Sequence, residues 1–133
     1  MNTKHVGEIT QATIMARLLS HNYPVRLPFG DNQRYDLVIE TANGFKRIQC
    51  KTGRLSKGAI EFPVASSAYH RGGKRRGYLG EIDFFAVHCL ETGKSYLVPC
   101  AGLTLNNQCS LRVDPPANRQ KLGVRWASDF ELV

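Results

Sequence analysis

The stretch that decides the fold is residues 35–51, Tyr35-Asp-Leu-Val-Ile-Glu-Thr-Ala-Asn-Gly-Phe-Lys-Arg-Ile-Gln-Cys-Lys51. Two strand-like runs, 35–40 and 45–51, flank the dipeptide Asn43-Gly44. Asn-Gly is the dipeptide that most readily forms a two-residue type I′ turn, so the stretch predicts a β-hairpin.

The turn predicts which residues oppose each other. With Asn43 and Gly44 as the loop, Val38 faces Gln49 and Asp36 faces Lys51, and opposed side chains share one face. Alternation then sends four apolar side chains to one face: Leu37, Ile39, Ile48 and Cys50. Five polar side chains go to the other face: Asp36, Glu40, Arg47, Gln49 and Lys51.

An ordinary amphipathic hairpin with its charged face in water has the same alternation. What indicates chemistry is the end of the hairpin away from the turn, where Asp36, Gln49 and Lys51 are expected to converge. These residues form a candidate cluster of metal ligands with an ammonium group.

Composition indicates a single domain spanning residues 1–133 with a core of its own, since 42% of the residues are hydrophobic. No apolar run approaches the roughly 18 to 20 residues that cross a bilayer, and the first residues lack the apolar block of a signal peptide. We therefore expect an intracellular, cytoplasmic protein that has no membrane partner. The cysteines at 50, 89, 100 and 109 form no C-x-x-C pair and indicate buried, reduced thiols rather than a zinc site.

The net charge of +7 predicts an anionic partner, most simply nucleic acid, although charge alone also suits an RNA-binding or membrane-surface protein. Nine of the 18 basic residues lie between Lys46 and Arg76, with Glu61 as the acidic residue among them. We interpret the Gly-rich basic run 70–78 as a phosphate-binding arm rather than a solvated loop. The candidate DNA contacts are Arg34, Arg47, Arg54, Lys57, Arg71, Lys74, Arg75 and Arg76.

Residues 3–21 are predicted to form a helix that packs one stripe on a sheet: Val6, Ile9, Ala12, Met15, Ala16 and Leu19. Glu8 shares the sector of this stripe. It is either a first-turn residue favoured by the helix dipole or a metal-ligating or water-orienting group that faces Asp36.

The rest of the chain predicts mainly strands. A short strand at 25–27, a loop at 52–58, a strand at 59–64 and an edge strand at 111–113 are expected, with a second hairpin from 81–89 and 94–100. Asp83 interrupts the apolar run of that hairpin and predicts a structural hydrogen bond. The short candidates for a second core helix are 64–70 and 100–107.

An acidic residue on one strand, followed by acid-any-Lys on the next, resembles the signature of the PD-(D/E)XK nuclease superfamily. Its positions match Asp36, Gln49 and Lys51, with Glu8 as the upstream helical Glu. Three longer stretches resemble the branch that includes homing endonucleases encoded in group I introns: Pro28-Phe-Gly-Asp-Asn-Gln-Arg-Tyr-Asp36, Arg47-Ile-Gln-Cys-Lys-Thr-Gly-Arg54 and Gly80-Glu-Ile-Asp-Phe-Phe-Ala-Val87.

The chain departs from the signature at two positions. Tyr35 replaces a Pro that carries no chemistry, and Gln49 replaces Glu or Asp. An amide oxygen coordinates a hard cation more weakly than a carboxylate does, and the intron-encoded branch tolerates Gln at this position.

The resemblance implies an α/β (α+β) fold with a restriction-endonuclease-like mixed β-sheet flanked by helices, in which the N-terminal helix precedes the catalytic hairpin. It implies a Mg²⁺-dependent endonuclease that acts on double-stranded DNA, with Mn²⁺ as a substitute for Mg²⁺. The implied metal ligands are Glu8, Asp36, Gln49 and the Cys50 carbonyl. We expect Lys51 to orient the attacking water or to stabilise the pentacovalent phosphorane.

Cutting both strands needs two active sites, so the resemblance also implies a homo-oligomer, either a dimer or a tetramer. Three alternatives remain at this point. The first is a Holliday junction resolvase of the same superfamily, and the second is a catalytically inactive DNA-binding module, which Gln49 favours. The third is an RNA-binding module, which rests on the basic, aromatic loop.

Overall fold

The computed structural model describes residues 2–66, 76–77, 80–103, 108–116, 118 and 123–133. One α-helix, a short 3₁₀-helix and ten strands are assigned within these ranges. In chain order they are α1 (Thr3–Ser20), β1 (Val25–Arg26), β2 (Leu37–Thr41), β3 (Gly44–Ser56), β4 (Ala59–Pro63), β5 (Ala65–Ser66), β6 (Arg76–Gly77), β7 (Phe84–Cys89), β8 (Ser95–Pro99), β9 (Gln108–Arg112), the 3₁₀-helix (Ala127–Asp129) and β10 (Glu131–Leu132).

The strands form a mixed sheet in the order β1-β2-β3-β7-β8-β10, in which β3 and β7 are parallel and the other pairs are antiparallel. Helix α1 packs on one face, where its Ile14 and Leu18 meet Leu37 and Ile48 of the hairpin. The predicted α+β class, with an N-terminal helix before the hairpin, is therefore confirmed.

Strands rather than a second helix cover the other face of the sheet within the described part of the chain. β4 pairs with both β3 and β9, and its Ile60 and Phe62 share a core with Phe85 and Val87 of β7. Of the predicted helix candidates, residues 65–66 are a strand and residues 100–103 are not helical, while 67–70 and 104–107 lie outside the described residues.

Helix α1 begins at the predicted residue and ends one residue earlier than predicted. The Asn2 side chain caps its N-terminus by accepting the His5 N–H at 2.8 Å. At the other end Asn22 takes a left-handed conformation with φ of 65°, which stops the helical ladder.

The predicted apolar stripe of α1 is wrong. The buried positions are Thr10, Ile14 and Leu18, whereas Ile9 is 39% exposed and Leu19 is 54% exposed. Thr10 is buried at little cost because its hydroxyl lies 2.7 Å from the Thr52 hydroxyl of β3. The large side chains one turn apart, Ile14 and Leu18, fill the gap to the sheet.

The predicted hairpin forms, but its register is shifted by two residues. Thr41 pairs with Gly44 and Leu37 pairs with Ile48, so the turn residues are Ala42 and Asn43. A type I′ turn needs positive φ at both central residues, and here Gly44 takes the positive φ of 104° while Asn43 does not. An even shift leaves every side chain on its predicted face.

The predicted loop 52–58 is wrong, because β3 continues to Ser56 and turns only at Lys57 and Gly58. Gly53 permits the continuation. A Cβ on this residue would lie 2.7 Å from Ile60 Cγ2 and 2.8 Å from Val87 Cγ1, so the glycine lets β4 pack closely on the sheet.

The second hairpin and the free, mostly buried cysteines are confirmed. β7 and β8 form the second hairpin, and five of the six β7 residues are buried. The four cysteines are free thiols, of which Cys50 is half-buried and the other three are buried. Across the described ranges no helix has the length and apolar content needed to cross a bilayer.

Candidate active site

Asp36 lies where the pairing of β2 with β3 becomes irregular. Its N–H donates to the Ile48 carbonyl at 2.8 Å, although Ile48 is the ladder partner of Leu37. Its Oδ2 accepts the Cys50 N–H at 2.8 Å, so the carboxylate takes the place of a strand partner beside β3. The predicted register paired Asp36 with Lys51 in the ladder, and that pairing is wrong.

The same edge of β3 presents a second oxygen. The N–H and C=O groups of one residue in an extended strand point to the same edge. Because the Cys50 N–H is bound to Asp36, the Cys50 carbonyl also points to the Asp36 side of β3. Burial and the charge of Asp36 raise the pKa of the Cys50 thiol, so the carbonyl rather than a thiolate is the metal-ligand candidate.

The charge state of Asp36 reflects a conflict between burial and its partners. Partial burial raises the pKa of the Asp36 carboxyl above its ordinary value, while the Cys50 N–H and the Lys51 charge act to lower it. The charge of Lys51 thus acts on Asp36 although the two residues are not ladder partners. The predicted meeting of their side chains stays a prediction.

Gln49 and Lys51 both point to the side of the sheet that carries β4. In the parallel ladder they are the partners of Phe85 and Val87, which belong to the core under β4. Both side chains are half-buried. Cys50 between them points to the α1 side. The predicted polar face is thus present at the open end of the hairpin.

A cleft of about 320 Å³ opens onto Asp36. Its polar lining comprises Gln11, Asp31, Gln33 and Tyr35, beside the loop 27–30. Gln11 was not among the predicted site residues. The sequence signal that could have identified it is its position one helical turn after Glu8. Glu8 itself is exposed and does not line this cleft, so its catalytic role stays a prediction.

The donor atoms around Asp36 suit a hard cation. Among the described residues no group of three or more His, Cys, Asp and Glu side chains is placed to hold a metal, and the candidate ligands here combine a carboxylate with neutral oxygens. Mg²⁺ commonly binds through one or two carboxylates together with water and phosphate oxygens. The Asp36 carboxylate and the Cys50 carbonyl fit that ligand set, and the part of the Gln49 amide in it stays a prediction.

Three of the candidate DNA-binding arginines are bound to carboxylates. Arg34 Nη1 lies 2.8 Å from Glu81 Oε2, and Arg54 Nη1 lies 3.9 Å from Glu91 Oε1. Asp83 Oδ2 accepts the Arg47 backbone N–H at 2.7 Å and its Nε at 3.2 Å. The predicted structural hydrogen bond of Asp83 is confirmed.

The Asp83–Arg47 contact is strong enough to influence ionisation. Although partial burial alone would raise the pKa of Asp83, the hydrogen bonds and charge of Arg47 lower it below the ordinary value. Arg47 Nη1 also donates to the Gly80 carbonyl at 3.2 Å. Arg47 therefore joins β3 to the segment before β7, and its contact with DNA stays a prediction.

Among the other candidate DNA contacts, one has a described side chain. Lys57 is exposed at the β3–β4 turn, with φ of 51°. Arg76 lies in β6, but its side chain is outside the described part of the structure. Arg71, Lys74 and Arg75, and with them most of the predicted phosphate-binding arm 70–78, also lie outside the described residues.

Comparisons with known proteins agree with this architecture. A bacterial homing endonuclease, I-Ssp6803I, has a similar solved structure, with a TM-score of 0.78 at 21% identity over 98% of this chain and 89% of that chain. At this identity the likeness concerns the fold. No curated protein matches the chain. The family profile described as PD-(D/E)XK endonuclease matches residues 1–133, and the chain belongs to that family.

Proposed function

We propose that this endonuclease is metal-dependent, requires Mg²⁺ or Mn²⁺, and cleaves duplex DNA at specific sites as a homo-oligomer. The observation that supports the metal requirement most directly is the Asp36 carboxylate, which accepts the Cys50 N–H at the edge of β3 and is influenced by the charge of Lys51. Membership of the family supports the nuclease activity.

Hydrolysis of a phosphodiester needs a barrier reduction of roughly 20 kcal/mol. A divalent cation at Asp36 would act as a Lewis acid toward the phosphate and water oxygens. Its ligands would be the Asp36 carboxylate, the Cys50 carbonyl and the Gln49 amide, with Glu8 as a ligand through water.

The protein's own groups have separate parts in this proposal. Lys51 places a compact positive charge beside Asp36, where it stabilises negative charge that develops on the scissile phosphate. The Cys50 N–H holds the Asp36 carboxylate in position. Gln11 and Gln33 in the cleft supply polar contacts to the sugar-phosphate backbone.

Site specificity and assembly are proposed on different grounds. The structural neighbour is described as a homing endonuclease, a class that cuts at defined sites. A cut through both strands of a duplex requires two copies of the site, which a two-fold symmetric homo-oligomer provides.

The test is cleavage of a plasmid library that carries random inserts, incubated with purified protein and Mg²⁺, followed by sequencing of the new ends. We expect ends that share a common sequence, none with EDTA, and none with D36N. D31N is the matched control because Asp31 lines the same cleft and carries the same charge. Cleavage that persists in EDTA, or in a folded D36N variant, would refute the proposed mechanism.

A parallel digest compares a four-way junction with linear duplex. We expect the linear duplex that carries the selected sequence to be cut at least as well as the junction. A strong preference for the junction with no sequence dependence would instead identify a resolvase.

A further inference from the structure

A second cleft lies near the β3–β4 turn, in the layer formed by β4 and β9. Its volume is about 500 Å³. The described residues that line it include three cations, Lys57, Arg112 and Arg125, and the other described lining residues are neutral. The Asp36 cleft has a different lining, in which Asp31 and Asp36 are acidic. The second cleft is therefore a separate, positively charged cavity.

The two arginines of this cleft are held by neutral groups. Arg112 donates from Nε to the Asp114 carbonyl at 3.0 Å and from Nη2 to the Pro115 carbonyl at 3.4 Å. Arg125 donates from Nη2 to the Gly102 carbonyl at 3.0 Å. A guanidinium has five N–H donors, so these contacts orient the groups and leave donors for a ligand.

Charge balance distinguishes these arginines from the candidates near Asp36. Arg34 and Arg47 are paired with the carboxylates of Glu81 and Asp83, which offset their charge. Backbone carbonyls carry no net charge, so the charges of Arg112 and Arg125 are not offset by the groups that hold them. Among the described residues, the Asp114 carboxylate lies beside Gly58 near Arg112, so one acidic group against three cations leaves an excess of positive charge.

Planar guanidinium groups held in place beside an exposed ammonium group are suited to phosphate oxygens. We propose that the cleft lined by Lys57, Arg112 and Arg125 binds backbone phosphates of duplex DNA outside the cleavage site. The inference rests on the proposed function, because it takes duplex DNA as the substrate. The cleft contributes affinity and position rather than chemistry at the scissile bond.

The distance between the two sites suits a duplex. Lys57 follows Lys51 by six positions along the continuous run of β3 and its turn, which spans at most roughly 20 Å. That length corresponds to about six base pairs at 3.4 Å each. One duplex in contact with Lys51 therefore extends far enough to place phosphates at the cleft.

The test measures binding of a fluorescent 30-base-pair duplex in Ca²⁺, with the duplex checked on a gel for integrity, at several salt concentrations. The test variant is K57Q/R125Q. The matched control is R17Q/R26Q, which removes the same charge. Arg17 is likewise held by a carbonyl, that of Gly93, and Arg26 is exposed in β1.

We expect K57Q/R125Q to reduce the slope of log K against log salt by about 1.8, since each lost phosphate contact removes about 0.9. R17Q/R26Q should keep the wild-type slope. In cleavage assays K57Q/R125Q should raise KM and leave kcat near the wild-type value, because the cleft does not touch the reacting atoms.

K57Q alone guards against misfolding of the double variant, because the Lys57 side chain is exposed; its expected slope reduction is about 0.9. Wild-type protein that binds duplex while K57Q and K57Q/R125Q match the control would overturn the inference and leave the proposed function intact. Wild-type protein that neither binds nor cuts duplex would overturn both.

Discussion

At the scale of single residues, the burial of Asp36 lowers the stability of the fold, and the proposed metal-binding role explains why a carboxylate is placed there. Its pKa is raised by burial, so between the unfolded pKa and this raised value the native state binds more protons and stability decreases as pH rises. A neutral Asn in its place can still accept the Cys50 N–H. We therefore expect D36N to unfold at the same or a higher temperature than wild type near pH 7 without metal.

The same substitution should lower the cleavage rate by more than the roughly 10 to 100-fold typical of changes behind a metal ligand. Thermal unfolding followed by circular dichroism at pH 5 and pH 7 gives the stability, and initial rates with Mg²⁺ give the activity. D31N again serves as control. A D36N protein that is clearly less stable than wild type at pH 7 would show that the carboxylate is primarily structural.

Lys51 offers a second prediction at this scale, with a readout independent of activity. Because the charge of Lys51 lowers the pKa of Asp36, K51M should raise that pKa further. The Asp36 carboxyl ¹³C resonance followed through a pH titration of metal-free protein measures it. K94M, which removes a lysine paired with Glu131, should leave the Asp36 titration unchanged. An unchanged Asp36 titration in K51M would show that the charge of Lys51 does not act on the Asp36 carboxyl.

At the scale of elements, β3 connects the hairpin, the core of the sheet and the β4–β9 layer, and Gly53 is the position where it passes under β4. G53A should destabilise the protein by about 1 to 3 kcal/mol, since the new methyl group meets Ile60 and Val87. G7A, in α1 with nothing within 4 Å of its Cβ, should stabilise the protein by roughly 0.5 to 1 kcal/mol. Urea unfolding measures both, and equal effects would contradict the packing argument.

The elements also show what sequence patterns determine. Alternation predicted the hairpin and its two faces, and both survived a register error of two residues because the side-chain period is two. The turn itself depended on whether Asn43 takes a positive φ together with Gly44, and the dipeptide alone does not decide that. The α1 stripe failed because the burial of Thr10 depends on a partner, Thr52, that is 42 residues away in sequence.

The site shows the same division between local and distant information. Asp36, Gln49 and Lys51 are recognisable because their spacing on two adjacent strands is a local pattern. Gln11 in the Asp36 cleft and Arg112 and Arg125 in the second cleft come from distant elements, and only the packing of those elements brings them together. The sequence alone therefore could not predict that these residues line the two clefts.

At the scale of the whole molecule, one chain carries one Asp36–Lys51 site, so the proposed cut through both strands requires cooperation between copies. If the subunits of a homo-oligomer each cut one strand, mixing wild type with excess D36N yields assemblies with a single intact site. We expect these mixed assemblies to nick a plasmid that bears the selected sequence, whereas wild type alone linearises it in one binding event.

Mixing must allow exchange, so the two proteins are co-refolded or co-expressed, and sedimentation velocity gives the size of the assembly. The ratio of nicked to linear product should rise with the proportion of D36N, because the probability that both cutting subunits are wild type falls as the square of the wild-type fraction. D31N in place of D36N should leave linear product dominant. Linear product that falls only in proportion to the wild-type fraction would mean that a single chain cuts both strands.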